Sequence, residues 1–265
     1  MQKLERKFVE KVWGVDRLPP VFGAPQDVRI GEVWYDPPAE LQSLLVKALF
    51  ASERLSVQAH PSDDQAQAMG LGRSGKSECW VITAAEDGAT IAVGFRERVS
   101  PEAMRSAALD GSIVDLLEWH PVERGDAFYI PAGTVHAIGG GVSLIEVQQN
   151  TDITFRLYDY GRPRELHLDD AMQVAITEPY PSHYRSRLGE DTQLVDSEHF
   201  RLASVATNET GAIAEWIGKA LLIPFEGRAS VDGVELAIGE CSFVDDIATV
   251  EIGGDGLLLV AQPQG

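Results

Sequence analysis

The sequence predicts an all-β protein with a few short helices, a sandwich or barrel followed by a smaller C-terminal β unit. Short β-like runs separated by Gly and Pro turns recur along most of the chain, the pattern of antiparallel sheets that close on themselves or pack face to face. Helix-start signals are few, and the helical stretches they open are short. With 265 residues, 44% hydrophobic and 24% charged, the chain can bury a substantial core and is ordinary in composition for a globular protein.

The first 54 residues read as short strands interrupted at Trp13-Gly14, Pro19-Pro20 and Pro37-Pro38, with residues 29–35 alternating like a strand. Residues 42–50 have helix-forming composition but strand-like neighbours, and the strand reading is preferred. In the strand 55–61, Gln58 and His60 share one face while Val57 and Ala59 share the other. Pro61 has no N–H to give and ends that strand. Residues 63–75 read as a short helix and a Gly turn, and residues 78–83 and 89–95 as a hairpin around Glu86-Asp87-Gly88. Ser100 and Pro101 supply an N-cap and a first helical residue, so helical segments are expected to about Glu118 with a break near Gly111. Strands return at 126–130, 142–148 and 154–158, with a turn at Pro131-Ala132-Gly133; residues 168–175 read as a helix. Pro179 and Pro181 mark a boundary, and β runs resume at 200–205, 220–224, 227–231, 241–244, 249–252 and 256–261. The expected division is a barrel over 1–180, with a helical insert near 100–118, and a smaller β unit over 181–265.

Charge and cysteine usage narrow the function classes. Forty-one acidic residues against 22 basic ones give a net charge of −19, which argues against nucleic acid as a partner because phosphate backbones need a basic footprint. An anionic small substrate would need cations gathered locally in its pocket. Cys79 and Cys241 are the two cysteines and make no disulfide framework. No charge-free apolar run is long enough to span a bilayer, and Met1 to Lys7 is not followed by the apolar core of a secretory signal. A cytoplasmic protein, monomeric or weakly homo-oligomeric and without a membrane or nucleic-acid partner, is expected.

Four side chains are candidate metal ligands: Gln58, His60, Glu78 and His136. Two imidazoles, a carboxylate and an amide oxygen suit Zn²⁺, and Fe²⁺, Mn²⁺ or Co²⁺ could occupy the same set. Lys76, Glu78 and Trp80 share a face on a second strand, and His136 follows the Pro-Ala-Gly turn, so an antiparallel barrel can bring all of them to one mouth. Glu146 and Gln148 are in phase, as are Asp152, Thr154, Arg156 and Tyr158. Each residue alone has a bland reading: a hydrogen-bonded turn histidine for His136, a solvated strand carboxylate for Glu78, a surface ion-pair partner for Arg156. His120, His167, His183 and His199 lack such company and read as structural or surface residues.

Taken together, the segments S-V-Q-A-H-P, G-K-S-E-C-W, P-A-G-T-V-H-A-I and I-E-V-Q-Q-N-T-D-I-T-F-R-L-Y-D resemble the type I phosphomannose isomerases, zinc enzymes of the cupin (jelly-roll) fold. With K-V-W-G and I-G-E-V-W they cover about residues 8–165, in the family's order. Gly14-Val15 stands where the family usually has two glycines, and Ser62 sets back the acidic residues after His60-Pro61. The resemblance implies one Zn²⁺ per chain on Gln58, His60, Glu78 and His136. It also implies active-site roles for Arg156, Lys76 and Glu146, and a sugar phosphate as the small-molecule substrate.

The implied reaction interconverts mannose 6-phosphate and fructose 6-phosphate through a cis-enediol(ate). It needs a Lewis acid, a base for an unacidic C–H and a clamp for the phosphate. Lys76 and Arg156 are the local cations the net charge calls for, and burial is expected to raise the pKa of Glu146 toward that of a working base. His136 and a metal-bound water are competing bases. Two other classes fit less well: an oxygenase-type metal cupin, disfavoured by the Gln ligand and the in-phase cations, and a non-catalytic sugar-phosphate-binding cupin, disfavoured by the complete ligand set.

Overall fold

The structure is a computed structural model that describes residues 1–25 and 27–264. Strands account for 43% of residues and helices for 15%, in antiparallel sheets, as the sequence predicts. A seven-stranded sheet (Arg185–Arg187, Asp126–Ile130, Glu78–Ala85, Val142–Gln149, Leu44–Ala51, Ile30–Tyr35, Arg6–Val15, in spatial order) faces a five-stranded sheet (Phe155–Tyr158, Val57–Ala59, His136–Ile138, Thr90–Phe95, Leu117–Pro121). Behind these lie a six-stranded sheet made mainly of residues beyond 190 and a three-stranded one.

Strand alternation explains the layering. In Leu44–Ala51 every residue is buried. Leu44, Val46, Ala48 and Phe50 join a core with Leu202, Leu221 and Phe243 of the six-stranded sheet. Leu49 and Ala51 point the opposite way, into the space between the two barrel sheets, with Trp80, Ile82 and Leu144. A strand buried on both faces shows a continuous apolar run rather than alternation. On the far side of the five-stranded sheet, Val57, Ala59, Ala137 and Phe155 pack against Met104 and Ala107 of the helix Pro101–Asp110 and Val174 of the helix Leu168–Val174. Hence Gln58, His136 and Arg156, the alternate residues of those strands, face inward.

Local signals act where expected. Ser62 caps the helix Asp63–Ala68 in a capping box with Gln65. The Ser100 side chain accepts from Ala103 N, and Gly111 ends that helix at φ 87°. Four expectations are corrected. Residues 78–83 and 89–95 are not a hairpin: Glu78–Ala85 pairs within the seven-stranded sheet and Thr90–Phe95 within the five-stranded one, because both are buried on both faces and the turn between them is a corner. Helix ends at Leu116, and Glu118 lies on the strand Leu117–Pro121. Trp13-Gly14 does not break a strand; Arg6–Val15 runs through it with a shifted register, and a Cβ on Gly14 would stand 2.5 Å from the Ile30 carbonyl carbon. The strand expected over 249–252 begins only at Ile252, and Thr249 ends a 3₁₀ turn.

The two ends of the chain trade strands across the expected boundary at residue 180. Gln2–Lys3 pairs with Ser242–Val244, and Arg185–Arg187 pairs with Asp126–Ile130. Among the described residues no helix is long and apolar enough to cross a membrane.

Candidate active site

The polar site is where the inward alternation of both barrel sheets turns from apolar to charged. Leu49 and Leu144 lie in the barrel core, and two residues from each along its own strand come Lys47 and Glu146. Glu78 heads the strand that carries Trp80 and Ile82. Opposite, Gln58 is the Cα partner of His136 on one side and of Arg156 on the other, and His60 follows the end of its strand.

His60, Glu78 and His136 bring one ligand atom each to within 4.8 Å of one another, and all three are buried. The imidazole rings stand 4.8 Å apart between centroids. His60 Nδ1 donates to Ile153 O at 2.7 Å and His136 Nδ1 donates to Thr134 O at 2.9 Å. A carbonyl only accepts, so each Nδ1 carries the proton and each Nε2 presents a lone pair toward the centre. Burial, and next the Lys76 ammonium, hold both histidines low, His136 at about 4, so both are neutral as metal binding requires. Both carboxylate oxygens of Glu78 are buried; Oε2 meets the Lys76 ammonium and Oε1 has no hydrogen-bond partner among the described residues. Gln58 Nε2 donates to His136 Nε2 at 3.2 Å while Ser56 Oγ donates to Gln58 Oε1 at 3.1 Å. The reversed amide presents an oxygen to the same point, and the Ser56 hydroxyl then accepts instead. The donor set fits a divalent metal ion held from three strands.

Charges surround this centre. Lys76 Nζ is 2.6 Å from Glu78 Oε2, 3.3 Å from His60 Nε2 and 3.9 Å from Glu146 Oε1. Burial disfavours its charge, but the two carboxylates outweigh burial and its pKa is raised. Glu78 is pushed up by burial and by Glu146. Glu146 corrects the sequence expectation: burial does push it up, but Lys76 and Lys47 pull harder and its pKa is held low. Its Oε2 accepts from Trp80 Nε1 at 3.1 Å and its Oε1 is 3.4 Å from Lys47 Nζ.

Gln58, Lys47, Lys76 and Glu146 line a cavity of about 310 Å³ that also includes Asp152, Thr154, Arg156 and Arg164. Tyr158, read in phase with Arg156, is turned away by an irregularity between them that pairs Arg156 with Gln58 but Tyr158 with Val57. Several lining residues escaped the sequence reading, Lys47, Arg164 and His167 among them. Lys47 is 2% exposed, flanked by Glu146, and stacked on Trp34 with 4.5 Å from its ammonium to the ring; a lysine inside Leu-Leu-Val-Lys-Ala-Leu-Phe was its only signal. Arg164 is bidentate with Asp159 at 2.6 and 2.7 Å. His167, read as structural or surface, lines the cavity, and its Nδ1 accepts from Arg156 N at 3.3 Å.

No family model matches the chain. Among curated proteins it is 35% identical over 217 residues to "Probable mannose-6-phosphate isomerase GmuF" of Bacillus subtilis (strain 168), covering 67% of this chain and 68% of that one. It is 44% identical over 138 residues to "Mannose-6-phosphate isomerase" of Streptococcus mutans, 49% of this chain but only 43% of that relative's length. Its fold superposes on the crystal structure of the mannose 6-phosphate isomerase from Bacillus subtilis with TM-score 0.79 and 26% identity, over 98% of this chain and 99% of the other. A solved mannose 6-phosphate isomerase bound with zinc and yttrium shares the fold at 16% identity, TM-score 0.70, over the whole of both chains.

Proposed function

The chain belongs to the mannose-6-phosphate isomerase family of aldose-ketose isomerases, and from that premise we propose that it interconverts mannose 6-phosphate and fructose 6-phosphate with one Zn²⁺ per chain. The observation that carries the proposal is the buried His60–Glu78–His136 cluster, in contact with Gln58 and Lys76 of a cation-rich cavity. Two neutral imidazoles, one carboxylate and the Gln58 amide are a donor set that suits Zn²⁺. Zinc held there would act as a Lewis acid on the sugar oxygens next to the reacting carbons.

The chain's own residues supply the rest. Converting the aldose to the ketose moves one proton from C2 to C1 and one from O2 to O1 through a cis-enediol(ate). Glu146 is buried, ionised and outside the ligand set, and it takes the carbon-bound proton and returns it to the neighbouring carbon. Its low pKa makes it a weak base while Lys47 and Lys76 both face it. An ammonium that turns toward a developing oxyanion leaves Glu146 with less counter-charge, and so more basic in the transition state. Lys76 is that ammonium, and with Arg156 it donates to the negative charge that develops on oxygen. The catalytic unit is the barrel up to about residue 180, and the smaller β unit over 181–265 backs it: every side chain named in the site precedes Leu168. Incubation with mannose 6-phosphate, followed by NMR, tests the reading; fructose 6-phosphate should accumulate to an equilibrium mixture, and an unchanged spectrum rejects it.

A further inference from the structure

Three segments bring the site together, those around His60, Lys76 and His136, and backbone hydrogen bonds stitch them. Lys76 N donates to Pro61 O at 2.9 Å, Gly133 N donates to His60 O at 2.8 Å, and Ala132 N donates to Ser77 Oγ at 3.2 Å. Two side chains outside the cavity lining complete the stitching. Asp63 Oδ1 accepts from Gly75 N at 2.6 Å and from Gln149 Nε2 at 2.8 Å, while Gln149 Oε1 accepts from Ser77 N at 2.9 Å. The amides on either side of Lys76 are therefore gripped by one carboxylate–amide pair, and its own amide by Pro61. Gly75 is required there, because a Cβ would run into the Pro61 carbonyl oxygen and Ser62.

We propose that Asp63 and Gln149 are positioning residues that hold the 75–77 backbone so that the Lys76 ammonium stands between His60, Glu78 and Glu146. Lys76 is 4% exposed and must meet three partners at once. A lysine stem carries several rotatable bonds, so the placement of its head depends on how firmly its Cα is held. Gln149 is itself buried and directly follows Gln148, the Cα partner of Glu78, so it bridges the strand of Glu146 to the segment of Lys76. This inference rests on the proposed role of Lys76 in the isomerisation.

The test compares Asp63→Ala, Asp63→Asn and Gln149→Ala by hydrogen exchange over residues 70–80, metal content, kcat and KM. In Asp63→Ala the amides of 75–77 should exchange at least about tenfold faster. Its kcat should fall about tenfold or more at full metal content, with KM within about threefold because neither residue lines the cavity. Asp63→Asn keeps an acceptor at Oδ1 and should recover both readouts to within about threefold. Gln149→Ala should resemble Asp63→Ala, and the double variant should be no more than about twofold worse, since the two act as one unit. Unchanged exchange and kcat in Asp63→Ala and Gln149→Ala would overturn the proposal. So would an Asp63→Asn variant as impaired as Asp63→Ala, which would assign the effect to the charge facing His199, 3.8 Å away. The exchange readout needs no turnover, so deprotection of 75–77 in a protein inactive on mannose 6-phosphate would reject the isomerase reading and keep the clamp.

Discussion

Arg156 stands directly across from Gln58 in the five-stranded sheet, which sets its guanidinium into the cavity beside the ligand cluster. Five cations line that cavity. Lys11, Lys47, Lys76 and Arg164 each have a carboxylate within 4.0 Å; among the described residues Arg156 has none, and its buried Nε has no hydrogen-bond partner. This guanidinium has no carboxylate partner among the described residues, only a 3.5 Å bond from Nη1 to Glu165 O, and it is the cation proposed above to meet the charge that develops on substrate oxygen.

Arg156→Lys should therefore keep the fold and full metal content and lose about tenfold or more in kcat/KM, at least about 1.4 kcal/mol of transition-state stabilisation, because an ammonium lacks the planar fork. Kinetics with metal analysis check it. A loss in kcat places Arg156 at the developing oxyanion, the outcome expected here, and a loss in KM places it on the phosphate. Near-normal kinetics remove it from the mechanism.

Glu78→Ala should strip the metal, since it removes the only anionic member of the set. Gln58→Ala should retain most of it, because water can replace a neutral oxygen. Metal analysis after extensive dialysis separates the two. Equal losses would contradict the charge argument behind the ranking.

Lys47→Met should move the acid limb of the kcat/KM profile to higher pH. Burial pushes Glu146 up and the two ammoniums hold it down; removing one favours the protonated form. A profile that does not move would detach that limb from Glu146.

The metal-free protein should lose stability between about pH 6.5 and 4.5. His60 and His136 stay neutral in the fold well below their ordinary pKa, so the unfolded chain binds two more protons there and stability falls with pH. Glu78, raised in the fold to about 7, works the other way and offsets one. Glu146, held low in the fold, adds to the loss at the acid end of that range. Urea denaturation of wild type against His136→Gln isolates the histidine contribution, and the wild type should lose more as pH falls. Parallel losses would contradict it.

Strand parity made much of the site legible. Gln58 with His60, and Glu78 with Trp80, follow from alternation within single strands. Parity failed wherever the chain changed sheets or slipped. Glu146 and Arg156 do share a cavity, but through a crossing from the seven-stranded to the five-stranded sheet rather than the even spacing between them. Tyr158 left the face of Arg156 at an irregularity that no residue type announces. The 78–95 hairpin failed for a related reason: a tight turn fixes a corner, and only the cores on either side decide which sheet each strand joins. The pKa of Glu146 was misjudged because Lys47 lies 99 residues away in sequence and 3.4 Å away in space.

The measurement that bears most directly on the account is turnover of mannose 6-phosphate before chelation, after it, and after zinc is restored. Activity should disappear as the metal leaves, return with about one Zn²⁺ per chain, and fail to return in Glu78→Ala. Full activity in protein shown to be free of metal would contradict the central claim, as would a chain that binds zinc at His60, Glu78 and His136 and leaves mannose 6-phosphate unchanged.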